Sequence, residues 1–159
     1  MKVIFLDIDG VLNTDRAIRQ RKNQNNDQIH FDEEAMKNLN EIIKTTKSKI
    51  VISSTWRIHQ NTENPLWIAI IENFKRYKID SEIISTTEKY ENGSPQNPRW
   101  KEIKNWLESN KEKDITSFLI LDDEWNMEDL NNNFVRCSPS IGIDRKNKED
   151  GIKILKGKT

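Results

Sequence analysis

The chain has 159 residues, about one third hydrophobic (34%) and one third charged (33%), which suits one compact domain spanning 1–159 with a strongly solvated surface. Lys and Arg balance Asp and Glu at 26 each, so the formal net charge is zero, which excludes a generic polyanion binder of basic composition and leaves only a local basic patch open. The single cysteine, Cys137, excludes an intrachain disulfide framework and fits a reducing compartment.

Val3 to Leu6 is a continuous apolar run that reads as a strand buried on both faces. It is too short for a signal sequence or a membrane span, and an acid, Asp7, ends it, so a cytoplasmic protein without membrane contact is expected. Residues 13–30 are polar and read as a loop or small excursion carrying the basic cluster Arg16, Arg19, Arg21 and Lys22. Asp32 begins a helical pattern: it can cap the helix, Glu33 and Glu34 favour its positive end, and Ala35, Met36, Leu39, Ile42 and Ile43 form one apolar stripe.

Lys49 to Ile52 is a second buried strand, followed by Ser53 and Ser54. Leu66, Trp67, Ile70, Ile71 and Phe74 form the next helical stripe, and Ile83 with Ile84 a short third strand. Trp100, Ile103, Trp106 and Leu107 mark a further helix. Phe118 to Leu121 is a fourth strand ending at Asp122 and Asp123, Phe134 and Val135 a weaker fifth, and Ile152 with Leu155 a closing helix. Alternating strands and helices predict an α/β fold, a three-layer Rossmann-like sandwich around a central parallel sheet. Ligands of such sheets bind at the carboxyl ends of the strands. Three predicted strands end in chemically useful groups: Asp7 and Asp9, Ser53 and Ser54, Asp122 and Asp123.

Asp7 and Asp9 are two apart, so an extended segment points both side chains to one side. With Asp122 and Asp123 approaching from another strand, the carboxylates would repel one another strongly without a counterion. A hard divalent cation relieves that repulsion, and magnesium prefers such oxygen ligands. The cation would also offset the charge of an incoming phosphate, which carboxylates alone would reject.

Four segments together resemble the haloacid dehalogenase (HAD) superfamily, mainly its phosphatases, over nearly the whole chain. They are Phe5-Leu6-Asp7-Ile8-Asp9-Gly10-Val11-Leu12-Asn13, the run Ile50-Val51-Ile52-Ser53, the helix start Pro98-Arg99-Trp100-Lys101-Glu102-Ile103, and Leu119-Ile120-Leu121-Asp122-Asp123. More narrowly, the combination is similar to the HAD domain of "Swiss Army knife" RNA-repair proteins. The resemblance implies that Asp7 is the nucleophile of an aspartyl-phosphate mechanism and Asp9 the acid and base. It implies that Asp7, the Asp9 carbonyl, Asp122 and Asp123 hold Mg2+. Ser53, with Ser54 as the alternative, would bond a phosphate oxygen. Arg99, with Lys101 as the alternative, would stabilise transition-state charge, and Arg57 would add a further phosphate contact.

The resulting expectation is a magnesium-dependent phosphomonoesterase acting on a phosphorylated nucleotide or nucleic-acid end. The alternatives are a small-metabolite phosphatase and an inactive HAD-like binding module. The interval after the first motif is too short for a large cap domain, so an open site is expected, with the Arg16–Lys22 cluster recruiting a polyanion. Trp56, Trp100 and Trp125 each follow a motif closely. Each is a candidate for stacking on a nucleobase, set against plain packing at the sheet edge. Trp67 and Trp106 fall in helical stripes and are expected in the core.

Overall fold

The computed structural model describes residues 1–24, 28–54, 62–87 and 98–157. The elements run β1 (Lys2–Leu6), α1 (Asp15–Asn23), α2 (Glu33–Thr46), β2 (Lys49–Ile52), α3 (Pro65–Arg76), β3 (Ile83–Thr86), α4 (Arg99–Ser109), β4 (Ser117–Asp122), β5 (Phe134–Arg136) and α5 (Arg145–Leu155). Among the described residues all four strand pairings are parallel, in the order β3-β2-β1-β4-β5. The three-layer α/β sandwich expected from the alternation of elements is therefore present, and the described residues include no cap domain.

The burial of β1 follows from its central place. Its residues alternate between the two faces. Ile4 and Leu6 pack with apolar residues of α2, α3 and α5, including Met36, Leu39, Ile70 and Leu155. Val3 and Phe5 pack on the opposite face with Ile103 and Trp106 of α4 and with Met127. Phe5 meets Trp106 and Phe118 edge-on, with ring centroids 5.3 and 5.8 Å away. Trp67 and Trp106 are both buried, as their helical stripes require.

Strand order sets the site. From β1 the chain steps outward to β2 and β3, then crosses back through α4 to β4 on the other side of β1. Connections therefore diverge above β1 and β4, and that divergence opens a crevice at their carboxyl ends. Asp7 follows β1, Ser53 follows β2, and Asp122 closes β4.

One stretch differs from its sequence reading. Residues 15–23, expected within a loop, form α1. An apolar stripe does not hold this helix, since Ala17 is its one buried residue. Polar contacts do. Thr14 caps it, its hydroxyl accepting from the Ala17 N–H at 3.1 Å. Arg16 donates from Nε and Nη2 to the two Asp32 oxygens at 2.8 Å each and reaches Glu34 at 2.9 Å. Arg21 donates to Asn13 Oδ1 at 2.9 Å and to the His30 carbonyl at 2.8 Å. The basic cluster is thus divided: Arg16 and Arg21 hold the fold, while Arg19 and Lys22 are exposed. Of the four, Arg19 and Lys22 are the ones whose charges face solvent.

Asp32 joins α1 to α2. It is buried, caps α2 by accepting from the Ala35 N–H at 3.0 Å, and accepts from the Thr14 hydroxyl at 2.9 Å. Burial pushes its carboxyl up, but the bonds from Arg16, Ala35 and Thr14 outweigh that and hold it below the ordinary value. Its contribution to stability is accordingly complete above the unfolded carboxyl pKa of about 4 and fades as pH falls through the lower folded value. Asp32→Ala removes a helix cap and charged hydrogen bonds together and is expected to cost about 3 kcal/mol in urea unfolding at neutral pH. Arg19→Ala, on the exposed face, is expected to change stability by less than about 0.5 kcal/mol.

Candidate active site

Asp7 leaves β1 with its N–H bonded to the Leu121 carbonyl at 3.0 Å, which locks it beside the end of β4. The Ile8 N–H donates to Asp7 Oδ1 at 2.9 Å and fixes the carboxylate. The chain then turns: the N–H groups of Leu12 and Asn13 both donate to the Ile8 carbonyl at 2.9 Å. Gly10 sits in this turn at φ +78°, and a Cβ there would run into the Asp123 carboxylate. Glycine is needed both for the backbone angle and for the approach of Asp123.

The carboxylates of Asp7, Asp122 and Asp123 converge, with one oxygen from each lying within 4.8 Å of the others. Asp7 and Asp122 are buried. Burial and the neighbouring Asp122 push the Asp7 carboxyl well above the ordinary range, and Arg99 and the Ile8 N–H oppose this without cancelling it. Burial likewise pushes Asp122 up to about 6, against the pull of Arg99 and the Glu124 N–H. Asp122 Oδ1 accepts from that N–H at 3.1 Å, whereas buried Oδ2 has no hydrogen-bond partner. Three oxygen donors in mutual reach, one of them buried and unsatisfied, fit a hard divalent cation.

Arg99 opens α4 and reaches into this cluster. Its Nη1 stands 3.5 Å from Asp7 Oδ1 and 3.4 Å from Asp122 Oδ2, at ion-pair distance from both without hydrogen-bond geometry to either. Buried Glu102, one turn along the same helix, stands 3.9 Å from Arg99 Nε. On the other side of β1, Ser53 donates its N–H to the Leu6 carbonyl at 3.0 Å. Its Oγ is buried without a partner, and so is Thr87 Oγ1 one strand further out.

A family model described as the HAD domain in Swiss Army Knife RNA repair proteins matches residues 3–147. The chain belongs to this family. Membership supports a phosphatase-type hydrolase, and members of the HAD family typically use a divalent metal. No curated protein and no solved structure gives a significant match.

In this HAD domain, Asp7, Asp122, Asp123 and Arg99 come together, and Ser53 and Ser54 are buried at the adjoining strand end. Lys101, the alternative to Arg99, is exposed, with Nζ 5.4 Å over the Trp100 ring. The Asp9 side chain stands apart from the three-carboxylate cluster, and Asn13 Nδ2 donates to its Oδ1 at 3.0 Å. Arg57 and Trp56 lie outside the described residues. Among the described residues no helix is long and apolar enough to cross a membrane.

Sequence reasoning missed three residues. Asn13 ties Asp9 to Arg21 of α1; it lies within the first motif, but its role depends on a helix that the apolar pattern does not announce. Glu102 shares a helix face with Arg99 at i,i+3 spacing, a signal present in the sequence. Thr87 follows β3, but Ser85 and Thr86 separate it from the apolar pair Ile83 and Ile84, so the rule that marks Ser53 does not single it out.

The crowding of acids predicts a stability signature. Without metal, the raised Asp122 carboxyl stabilises the fold fully below its unfolded value near 3.8, and that contribution is lost as pH rises through about 6. Asp122→Asn is therefore expected to gain Tm relative to the wild type as pH rises from about 4 to about 7. At neutral pH, magnesium is expected to raise the Tm of the wild type and to have much less effect on the variant. A difference that stays flat with pH, measured by calorimetry in chelator, would contradict this picture of the cluster.

Proposed function

We propose that the protein is a magnesium-dependent phosphomonoesterase that works through an aspartyl-phosphate on Asp7 and acts on a phosphorylated nucleotide or nucleic-acid end. The observation that carries this reading is the meeting of Asp7, Asp122, Asp123 and Arg99 at the β1/β4 crevice. Asp7, the Asp9 carbonyl, Asp122 and Asp123 would hold magnesium. When bound, the ion screens the carboxylates from one another and from the phosphate.

The chain's own groups then divide the work. Arg99, poised between two acids without a hydrogen bond from Nη1, has a donor to turn toward a phosphate oxygen. Ser53 Oγ, buried and unpartnered, is a second donor, with Ser54 beside it and Arg57 as a further contact. An Asp7 oxygen attacks phosphorus, and the bond to the leaving oxygen breaks as that oxygen takes the Asp9 proton. Asp9, now ionised, accepts a proton from water. The water oxygen attacks phosphorus, which releases inorganic phosphate and restores the Asp7 carboxylate. The raised pKa of Asp7 belongs to the cluster without a counterion; with its neighbours' charge offset, the Asp7 carboxyl would be ionised and nucleophilic. The Arg21–Asn13–Asp9 chain of hydrogen bonds holds the proton-transfer carboxyl in one orientation.

The nucleic-acid part of the reading is supported by the RNA-repair description of the family and by the lack of a cap domain among the described residues. Phosphate release is to be measured from an aryl phosphate, mononucleotides, and 5′- and 3′-phosphorylated oligonucleotides, with and without magnesium. Release is expected only with the metal. Asp7→Asn is expected to lower kcat at least about a thousandfold, Asp9→Asn about a hundredfold or more, and Asn13→Ala about tenfold through misplaced geometry. Full activity of Asp7→Asn would overturn the mechanism. Preference for mononucleotides would move the substrate toward metabolism, and no release from any substrate would favour a binding module.

A further inference from the structure

Of the three tryptophans near the motifs, Trp56 lies outside the described residues, and Trp100, on α4, is half-buried against the core on that face of the sheet and beside Lys101 and Lys104. Trp125 is different. It is 82% exposed, the most exposed large hydrophobic among the described residues. It stands two residues beyond Asp123, so its Cα lies within about 7 Å of that acid's.

The loop carrying Trp125 is pinned on both sides. Before it, the Glu124 N–H bonds Asp122 Oδ1 at 3.1 Å. After it, Asn126 Oδ1 accepts from the Glu128 N–H at 2.9 Å and from Asn131 at 2.6 Å, and Met127 is buried. One face of the indole is covered by the Arg136 guanidinium, 3.7 Å from the ring centroid. Arg136 ends β5, in register with Asp122 of β4, so this stack stands beside the metal-site acids. Among the described residues no carboxylate pairs with Arg136, and its buried Nε has no hydrogen-bond partner. A cation without an acid lies under an aromatic ring whose other face is open, at the rim of the phosphate site.

We propose that the open face of Trp125, backed by Arg136, is the seat of the nucleobase whose phosphate enters the Asp7 site. The proposal rests on the phosphatase reading and adds to it the part of the substrate held outside the crevice. An indole accepts any base, because every base presents a π-face, so the platform binds nucleotides without sequence preference. The Arg136 charge strengthens the stack and draws the neighbouring phosphates of a strand.

Binding in the Asp7→Asn background, with magnesium, separates this from catalysis. The probes are 5′- and 3′-phosphorylated oligoadenylate, each beside the same strand with an abasic terminal residue, and adenosine monophosphate beside ribose 5-phosphate. Trp125→Ala, checked for an unchanged melting profile, is expected to weaken base-bearing ligands about tenfold and to collapse their advantage over the base-free ones. Trp125→Phe is expected to keep most of that advantage, and Arg136→Gln an intermediate share. A loss confined to oligonucleotides identifies a strand end as the ligand, and a loss shared by the mononucleotide identifies any nucleotide. An unchanged base-to-abasic ratio in Trp125→Ala overturns the proposal. The phosphatase reading fails separately, through absent phosphate release by the wild type, and the binding ratio decides the stacking in either case.

Discussion

Three carboxylates converge at the ends of two adjacent strands, and one guanidinium, Arg99, stands at ion-pair distance from two of them, Asp7 and Asp122. That imbalance governs the structure around it. Asp7, Asp122 and Asp123 converge where water is largely excluded, and Arg99 offsets only part of their charge. Burial and mutual repulsion push Asp7 and Asp122 toward their protonated forms. A site of this kind is poorly balanced alone, and the two groups of the proposed function, a cation on the acids and an anion on Arg99, would complete it with opposite signs. The proposed metal and phosphate chemistry thus answers an electrostatic imbalance built into the sheet.

The fold spends much of its local detail on holding that deficit in place. The Asp7 N–H is tied to β4, Gly10 yields room for Asp123, and Asp122 is held by the loop after its own strand. On the far side of the first motif, Asn13 and Arg21 orient Asp9 from α1, which Asp32 in turn fastens to α2. The strongest polar contacts around α1 thus lead back to the same loop. Disturbing Asn13 should reach the crevice through its direct bond to Asp9, and disturbing Asp32 through the chain of bonds that runs by Arg16 and α1.

Much of the architecture was legible because it rests on apolar periodicity. The strands at Val3–Leu6, Lys49–Ile52 and Phe118–Leu121 carry continuous apolar runs (Ile50–Ile52 in the second), and the stripe from Ala35 to Ile43 behind the Asp32 cap has helical spacing. Those elements place Asp7, Ser53 and Asp122 at strand ends without knowledge of strand order. Helix α1 was not legible, since a segment with one buried residue has no stripe to read; Thr14, Arg16 and Arg21 hold it through partners far along the chain. Strand order, which puts Asp7 between Ser53 and Asp122, comes from tertiary packing. For the same reason Arg16 looked like part of a solvated basic patch, when its charge is spent on Asp32 and Glu34.

The central claim is that Asp7 itself takes the phosphoryl group. Its most direct test is acid quenching of the enzyme during turnover with magnesium and a phosphorylated substrate, followed by mass analysis of the peptide that contains residues 3–13. The expected result is one phosphoryl group on Asp7, present with magnesium, absent in chelator and absent in Asp7→Asn. Turnover that proceeds with Asp7 unmodified, or with the phosphoryl group on another residue, would contradict it.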